Sequence, residues 1–228
     1  MKILFHFTIT LLVLSLAACN QTKSPEPVKQ YTFIGGKEGD KMDTTSFDSL
    51  QLSDPFILAD EETQMYYLVG SGGSLWKSTN LKMWTGPYQY ITVDTTSWIG
   101  TAPRIWAPEL HKYKGKYYLS HSDNHASTQG GNQMQYSVSD NPLGPFTPCG
   151  VYMYPQGEET AHGSIVEYNG KWYSFYHTSN HSGRGGLRSV CVDPIEYDLK
   201  GNLKVVKNWG RPYGNRAVEI GLNKQTII

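Results

Sequence analysis

Three titratable side chains stand near the start of three similar stretches of this chain, and together they could perform proton-transfer chemistry. They are Asp54, Glu109 and His162, which lie in residues 54–71, 107–123 and 162–178. Carboxylates and imidazoles are the side chains that most often hold, donate or accept a proton in catalysis. If the chain brings the three starts together, these side chains form a candidate active site.

The three stretches share one pattern, which predicts how the side chains are positioned. Each continues as a short apolar strand, turns, and returns through a pair of aromatic residues, and the pairs recur at spacings of 51 and 55 residues. The pairs are Tyr66-Tyr67, Tyr117-Tyr118 and Trp172-Tyr173. A period of this length made of short strands is typical of a β-propeller blade. Equivalent strands of neighbouring blades surround one axis, so their starts are expected to converge.

The fold class expected from the whole pattern is all-β, a propeller built from four-stranded blades. Helical periodicity is nearly absent, and Asn169-Gly170 between alternating strands is a strong hairpin signal. In the third unit, Leu203–Val206 is predicted as the fourth strand. Residues 31–47 and 209–228 could pair as part of another blade. A β-sandwich competes, but it would not require self-similar units of some fifty residues.

The first thirty residues have the composition of an export signal and a tether. Residues 1–19 combine a positive start, a short apolar run and a Leu-Ala-Ala-Cys ending, which is similar to a bacterial lipobox. Cys19 would then be lipidated and attach the protein to a membrane of the bacterial cell envelope; an ordinary signal peptide is the alternative. Residues 20–30 are polar with two prolines and read as a flexible tether, which leaves 31–228 as one β-propeller domain.

The composition excludes one class of partner and favours another. Formal net charge is zero, so the chain lacks the basic footprint expected for nucleic-acid binding. Aromatic residues make up 13% of the chain, with 16 Tyr and 6 Trp. Tyr and Trp rings stack on sugar faces, but they also fill the interfaces between sheets. Cys149 and Cys191 are compatible with a disulfide or with two free thiols.

Four segments together carry a resemblance to glycoside hydrolase family 43. They are Ser53–Leu58, Trp106–His111, His162–Ile165 and Lys171–His177, with Arg188-Ser189-Val190 after them. The resemblance implies a five-bladed propeller enzyme acting on arabinose- or xylose-containing polysaccharides or oligosaccharides. Only three blade repeats are clear in this chain, so it is identified as a shortened member.

The resemblance also implies an inverting mechanism and roles for two carboxylates. Asp54 matches the family's general base, and its alternative is the cap of a turn before Pro55. Glu109 stands where the family has the aspartate that tunes the acid, so it would be the modulator or the acid itself; a surface glutamate is the alternative. Inversion needs base and acid about 6.5–9.5 Å apart with water between them.

Further residues are expected to contribute to metal binding, hydrogen bonding or sugar contacts. His162 matches a family histidine associated with a bound metal, commonly calcium, although a hydrogen bond without metal serves equally; no cofactor is required. Candidates for sugar stacking and for hydrogen bonds to sugar hydroxyls follow. They are Trp76, Trp98 and Trp106 for stacking, and Arg104 or Arg188 for hydrogen bonds, with structural ion pairs as the alternative for the arginines.

The segment that carries the family's acid glutamate has no counterpart in this chain. Glu159 is the nearest substitute, three residues before His162, and a solvated loop glutamate is its alternative. The leading hypothesis is therefore an exported, lipid-anchored glycosidase. The second is a glycan-binding lipoprotein without turnover, and the third is a structural propeller that mediates protein contacts.

Overall fold

The computed structural model describes residues 31–34, 43–88, 90–94, 105–123, 133–154, 160–179 and 187–206. Fourteen strands and one turn of 3-10 helix (Phe47–Ser49) make up this part of the chain, so the all-β prediction is confirmed. The strands follow in chain order. They are β1 Tyr31–Ile34, β2 Asp43–Ser46, β3 Phe56–Asp60, β4 Met65–Gly70, β5 Ser74–Ser78, β6 Met83–Gly86, β7 Ile91–Asp94, β8 Trp106–Tyr113, β9 Lys116–Asp123, β10 Gln133–Ser139, β11 Thr147–Met153, β12 Thr160–Tyr168, β13 Lys171–Thr178 and β14 Ser189–Ile195.

Three antiparallel meanders form the body of the fold. The first sheet has the order β2-β6-β5-β4-β3, the second β11-β10-β9-β8 and the third β12-β13-β14. The first strand of each repeat, β3, β8 or β12, lies at one edge of its sheet. Strand β8 contacts both β3 and β12. The three edge strands that begin the repeats therefore lie side by side, as the propeller pattern predicts.

Local sequence explains the hairpins. At Lys114-Gly115 and Asn169-Gly170 both residues have positive φ, from 48° to 75°. Two consecutive positive φ values define the type I′ turn, whose twist matches that of the flanking strands. The strands pair directly beyond each turn: Tyr113 pairs with Lys116, and Tyr168 pairs with Lys171.

The aromatic pairs are explained by the alternation of side chains along a strand. Tyr117 lies in the core between the first and second sheets, and the next residue, Tyr118, lies in the core between the second and third. A fully buried aromatic ring removes at least about 150 Å² from water, worth about 4 kcal/mol. The consecutive pair on β9, a middle strand, thus stabilises both interfaces of the second sheet.

Two strand predictions need correction. The third sheet has three strands, because Leu203 makes only an isolated bridge to Tyr197 instead of starting a fourth strand. Within residues 31–47, β1 pairs with β7 and β2 extends the first sheet to five strands. Those residues are therefore paired elsewhere, whereas residues 209–228 lie outside the described part.

Candidate active site

Each repeat contains one residue with an unusual backbone conformation where its edge strand begins. These are Asp54, Ala107 and His162, with φ of 50°, 40° and 54°, and we call them the entrance residues. Positive φ is uncommon outside glycine and costs about 1–3 kcal/mol. In the second and third sheets it coincides with a register shift of the pairing, between Trp106 and Glu109 and between Ala161 and Ser164. The structural equivalent of Asp54 in the second repeat is therefore Ala107, and Glu109 lies two residues further along.

Asp54 is tied to the second repeat through one serine. The Ser71 hydroxyl donates to Asp54 Oδ2 at 2.6 Å, and the backbone N–H of Ala107 donates to Ser71 Oγ at 2.8 Å. Ser71 follows directly after β4, and its own N–H donates to the carbonyl of Ser53. The carboxylate is thus held where the first and second repeats meet.

His162 brings the third repeat to the same place. Its Nδ1 atom lies 3.8 Å from Asp54 Oδ1, and the two side chains are 37% and 38% exposed. This separation is too long for a hydrogen bond and leaves both groups accessible to solvent. The ring of His177 lies 5.1 Å from that of His162, measured between centroids. All three entrance residues therefore converge, with Asp54 linked to both of the others.

Gly163, next to His162, packs closely against the second sheet. A Cβ atom at this position would lie 2.2 Å from Met134 Cε and 3.1 Å from the Tyr152 hydroxyl oxygen. The first of these contacts is an overlap with the end of the Met134 side chain, so a larger residue would require that side chain to move. The His-Gly sequence thus combines an exposed imidazole with close packing directly beside it.

Glu109 occupies a different environment. It is 1% exposed and lies on the face of β8 that is turned toward the third sheet. Its Oε1 atom accepts from the Ser120 hydroxyl at 2.8 Å and lies 2.8 Å from His111 Nδ1. The other ring nitrogen, Nε2, lies 2.7 Å from the Tyr197 hydroxyl. Glu109 is thus part of a buried polar network rather than of the exposed group around Asp54.

Sequence reasoning missed Ser71 and His111 as members of the site. His111 could have been found, because it follows Glu109 by two residues and therefore shares its face of the strand. Ser71 has no comparable signal, since its contact with Asp54 spans 17 residues and depends on the pairing of β3 with β4.

The predicted sugar-binding residues are divided between two regions. Trp106 is half-buried and directly precedes Ala107, which places it at the entrance. Arg188 is exposed and directly precedes β14. It lies at the end of the third sheet where Thr178 pairs with both Thr160 and Ser189, and His162 lies at the same end. Trp76 lies on β5, two strands from β3, and packs against Gly86. The structure thus brings Trp106 and Arg188, but not Trp76, toward the entrance residues.

The described donor groups near the entrance do not form a metal site. No group of three or more His, Cys, Asp or Glu side chains suited to a metal is found in the described residues. Calcium prefers six to eight oxygen ligands, whereas the pair nearest to the entrance is one carboxylate and one imidazole. The donors that are described do not fit the calcium ion implied by the resemblance.

Four further predicted residues lie outside the described part of the chain. They are Trp98, Arg104, Glu159 and the lipobox Cys19.

Burial sets the protonation of the phenols around Glu109. Desolvation, together with the nearby Glu109 carboxylate, raises the pKa of Tyr197 and that of Tyr152 far above the usual value. Both phenols therefore stay protonated at neutral pH and can act as hydrogen-bond donors.

Within the described part of the chain, no helix has the length and apolarity to cross a membrane.

Comparison with known proteins finds relatives over much of this chain. The family model for glycosyl hydrolases family 43 matches residues 47–159, which include Asp54, Ser71 and Glu109. The chain belongs to this family. A β-xylosidase of Xylanibacter ruminicola is 48% identical over 99 residues, covering 43% of this chain and 30% of the relative. An arabinoxylan arabinofuranohydrolase of Paenibacillus polymyxa is 31% identical over 181 residues, covering 68% of this chain and 28% of the relative.

Solved structures of family 43 enzymes share the fold. An endo-arabinase from Bacteroides thetaiotaomicron superposes with a TM-score of 0.58 at 27% identity, covering 72% of this chain and 58% of the other. A family 43 β-xylosidase/α-arabinofuranosidase from a compost metagenome, in complex with xylotriose, gives 0.53 at 26% identity, covering 68% and 58%. The chain thus spans less than a third of these curated relatives and less than two thirds of these solved chains.

Proposed function

We propose that this family 43 protein is an exported glycoside hydrolase that cleaves arabinose- or xylose-containing polysaccharides or oligosaccharides with inversion at the anomeric carbon. The observation that carries the proposal is the setting of Asp54. Its carboxylate is partly exposed, held by Ser71, and placed where three repeats meet. The names of the relatives, xylosidases and arabinofuranohydrolases, support the substrate class.

Asp54 suits the part of a general base. One carboxylate oxygen, Oδ2, accepts the Ser71 hydrogen bond, and this contact fixes the orientation of the group. The carboxylate remains open to solvent, so it can draw a proton from the water that attacks the sugar. His162, 3.8 Å from Oδ1, is near enough to bind a sugar hydroxyl beside that water.

The burial of Glu109 favours the role of modulator over that of acid. A general acid must come within hydrogen-bond reach of the leaving oxygen. The Glu109 carboxylate is enclosed, and Oε1 is already engaged by Ser120 and His111. In this proposal it contributes negative charge beneath the site, and no step passes through a metal ion.

A binding function without turnover is the second candidate. The observation in its favour is that Asp54 and Glu109 differ so much in exposure, since a substrate at the entrance would contact only Asp54 of the two. The half-buried Trp106 beside the entrance would then serve as a stacking platform for a sugar ring.

One set of assays separates the two candidates. The purified protein and its Asp54→Asn variant are tested on p-nitrophenyl arabinofuranoside and xyloside, arabinan and arabinoxylan. Loss of the base should lower kcat by about 10²–10⁴-fold, the usual contribution of general acid–base catalysis. Asp48→Asn, a change at an exposed carboxylate on the 3-10 helix, is the matched control and should leave kcat unchanged.

The outcomes are distinct. Turnover that disappears in Asp54→Asn while the variant melts normally supports hydrolysis, and proton NMR of the first product reports whether the anomeric configuration inverts. Binding of xylotriose by both proteins with no turnover in either supports the binding function. Equal turnover in both proteins contradicts the role of Asp54 as base.

We also propose that the protein is anchored in the cell envelope through lipidated Cys19. The support is the Leu-Ala-Ala-Cys ending of residues 16–19 and the polar segment that follows it. Labelling with a radioactive fatty acid should mark the wild type but not Cys19→Ala. Equal labelling of both would contradict the anchor.

A further inference from the structure

The Glu109 carboxylate is bound to a histidine whose contacts are all accounted for. His111 is 6% exposed, its Nδ1 atom lies 2.8 Å from Glu109 Oε1, and its Nε2 atom lies 2.7 Å from the Tyr197 hydroxyl. Both ring nitrogens are thus engaged, one by a carboxylate and the other by a phenol. Residues 109 and 111 share one face of β8, whereas Tyr197 is contributed from beyond β14, 86 residues away.

Aromatic rings enclose the imidazole and fix its plane. Tyr118 stacks on it with centroids 5.2 Å apart and planes 16° from parallel. Trp172 lies 5.6 Å away at a tilt of 46°, and Tyr113 stacks on Tyr197 at 3.7 Å. With water excluded and the ring unable to turn, each nitrogen is restricted to the partner it has.

For a neutral imidazole, the contacts define one arrangement of protons that satisfies both ring nitrogens, Glu109 Oε1 and the Tyr197 hydroxyl. The Tyr197 phenol carries a proton and donates it to Nε2, so the proton of a neutral ring resides on Nδ1. The Nδ1–H group then donates to Glu109 Oε1, which also accepts from Ser120. The reverse tautomer would turn the Nδ1 lone pair toward a carboxylate oxygen, which is repulsive unless Glu109 carries the proton.

The second carboxylate oxygen is left without such support. Glu109 Oε2 is buried and has no hydrogen-bond partner among the described residues. The Tyr152 phenol is close enough to interact electrostatically with Glu109, and its hydroxyl lies beside Gly163, next to the entrance residue His162. The orientation of Glu109 is therefore determined by the two donors on Oε1.

We propose that His111 is a positioning residue that holds the Glu109 carboxylate through Nδ1–H, with Tyr197 selecting this tautomer. The catalytic consequence rests on the proposed hydrolase function, because His111 acts on the substrate only through Glu109. The proposal also favours the role of modulator for Glu109, because its Oε1 atom is already engaged by two buried donors.

The first test does not depend on activity. In the ¹⁵N-labelled full-length protein, the ring nitrogens of His111 are assigned by comparison with His111→Asn, and their shifts report the tautomer. The expected result is protonated Nδ1 with Nε2 as an acceptor at neutral pH. The opposite tautomer would overturn the proposal, whether or not the protein hydrolyses any glycan.

The second test compares three variants. His111→Asn keeps an N–H donor close to the position of Nδ1, His111→Leu removes it, and Tyr197→Phe removes only the donor to Nε2 while preserving the ring. A hydrogen bond to a charged group contributes about 1.5–3 kcal/mol, so His111→Leu should lower kcat by about 10-fold or more with KM little changed. His111→Asn should recover most of this loss. The kcat of Tyr197→Phe should lie between the values of His111→Leu and His111→Asn.

The outcomes separate the two proposals. Equal kcat in His111→Asn and His111→Leu, with both variants folded by their melting curves, would overturn the positioning role. If His111→Leu fails to fold, Tyr197→Phe decides, and an unchanged pH profile of kcat in that variant would count against the role. If the wild type shows no turnover, the hydrolase proposal and the catalytic consequence fail together, while the NMR result still decides whether His111 holds Glu109.

Discussion

The molecule contains two carboxylate–histidine pairs, and they differ in almost every physical respect. Asp54 and His162 come from different repeats, are 3.8 Å apart and are each more than a third exposed. Glu109 and His111 come from one strand, are 2.8 Å apart and are almost fully buried. The first pair is open to a ligand and loosely joined, whereas the second is buried, and its two members lie within hydrogen-bond distance of each other.

The difference shows how one fold separates a solvent-accessible site from a buried polar network. At the entrance, positive φ at Asp54 and His162 turns these residues out of the regular strand pattern and leaves them accessible. On β8 the regular alternation returns two residues after Ala107, and the Glu109 side chain there enters the interface between the second and third sheets. A carboxylate at the first position can meet a substrate, while one at the second stabilises packing and the local charge.

The largest expected contrast is in the free energy of unfolding. Glu109→Ala leaves the buried donors of Ser120 and His111 without an acceptor, at about 1–3 kcal/mol each. It should therefore destabilise the protein by about 3 kcal/mol or more, measured by urea unfolding. Asp54→Ala, at a partly exposed position, should cost less than about 1 kcal/mol. Equal losses in the two variants would contradict the distinction between the pairs.

The next contrast concerns pH and a third histidine. His121 on β9 is completely buried, and desolvation lowers its pKa from 6.5 to about 4. Below pH 6.5, His121 binds a proton in the unfolded chain but not in the folded chain. The free energy of unfolding therefore falls as the pH drops from 7 toward 4. Between pH 7 and 4.5 this contribution should amount to about 2–3 kcal/mol.

Two variants isolate that contribution. His121→Gln should flatten the pH dependence of the unfolding free energy over this range, even if its stability at pH 7 is lower. His162→Gln, at the partly exposed entrance, is the matched control for the loss of one histidine side chain. An unchanged slope in His121→Gln would mean that other groups cause the loss of stability in acid.

The smallest effect tests the equivalence of the entrance residues. Ala107 has a φ of 40°, so Ala107→Gly relieves backbone strain while adding about 0.5–1 kcal/mol of unfolded-state entropy. The two effects should nearly cancel. Ala59→Gly, at an exposed position inside β3, has no strain to relieve and should destabilise by about 0.5–1 kcal/mol. Thermal unfolding of both variants checks this, and an equal loss would argue against strain at Ala107.

The sequence predicted the features that depend on local preference. Alternation, the aromatic pairs and the Asn-Gly turn identified the hairpins and the all-β class, because side-chain period and turn chemistry are properties of neighbouring residues. The prediction failed for the fourth strand of the third unit at Leu203–Val206. Strand formation there depends on pairing across space, and Leu203 makes a single bridge.

The sequence by itself also determined which carboxylates and histidines were worth testing, since Asp54, Glu109 and His162 stand near the starts of the repeats. Only the tertiary structure decided what each one contacts. The register shift in β8 made Ala107 the equivalent of Asp54 and turned Glu109 into the interface with Ser120, His111 and Tyr197. Burial and hydrogen bonding depend on residues distant in the chain, so a one-residue change in register moves a side chain from a solvent-exposed site to the interior.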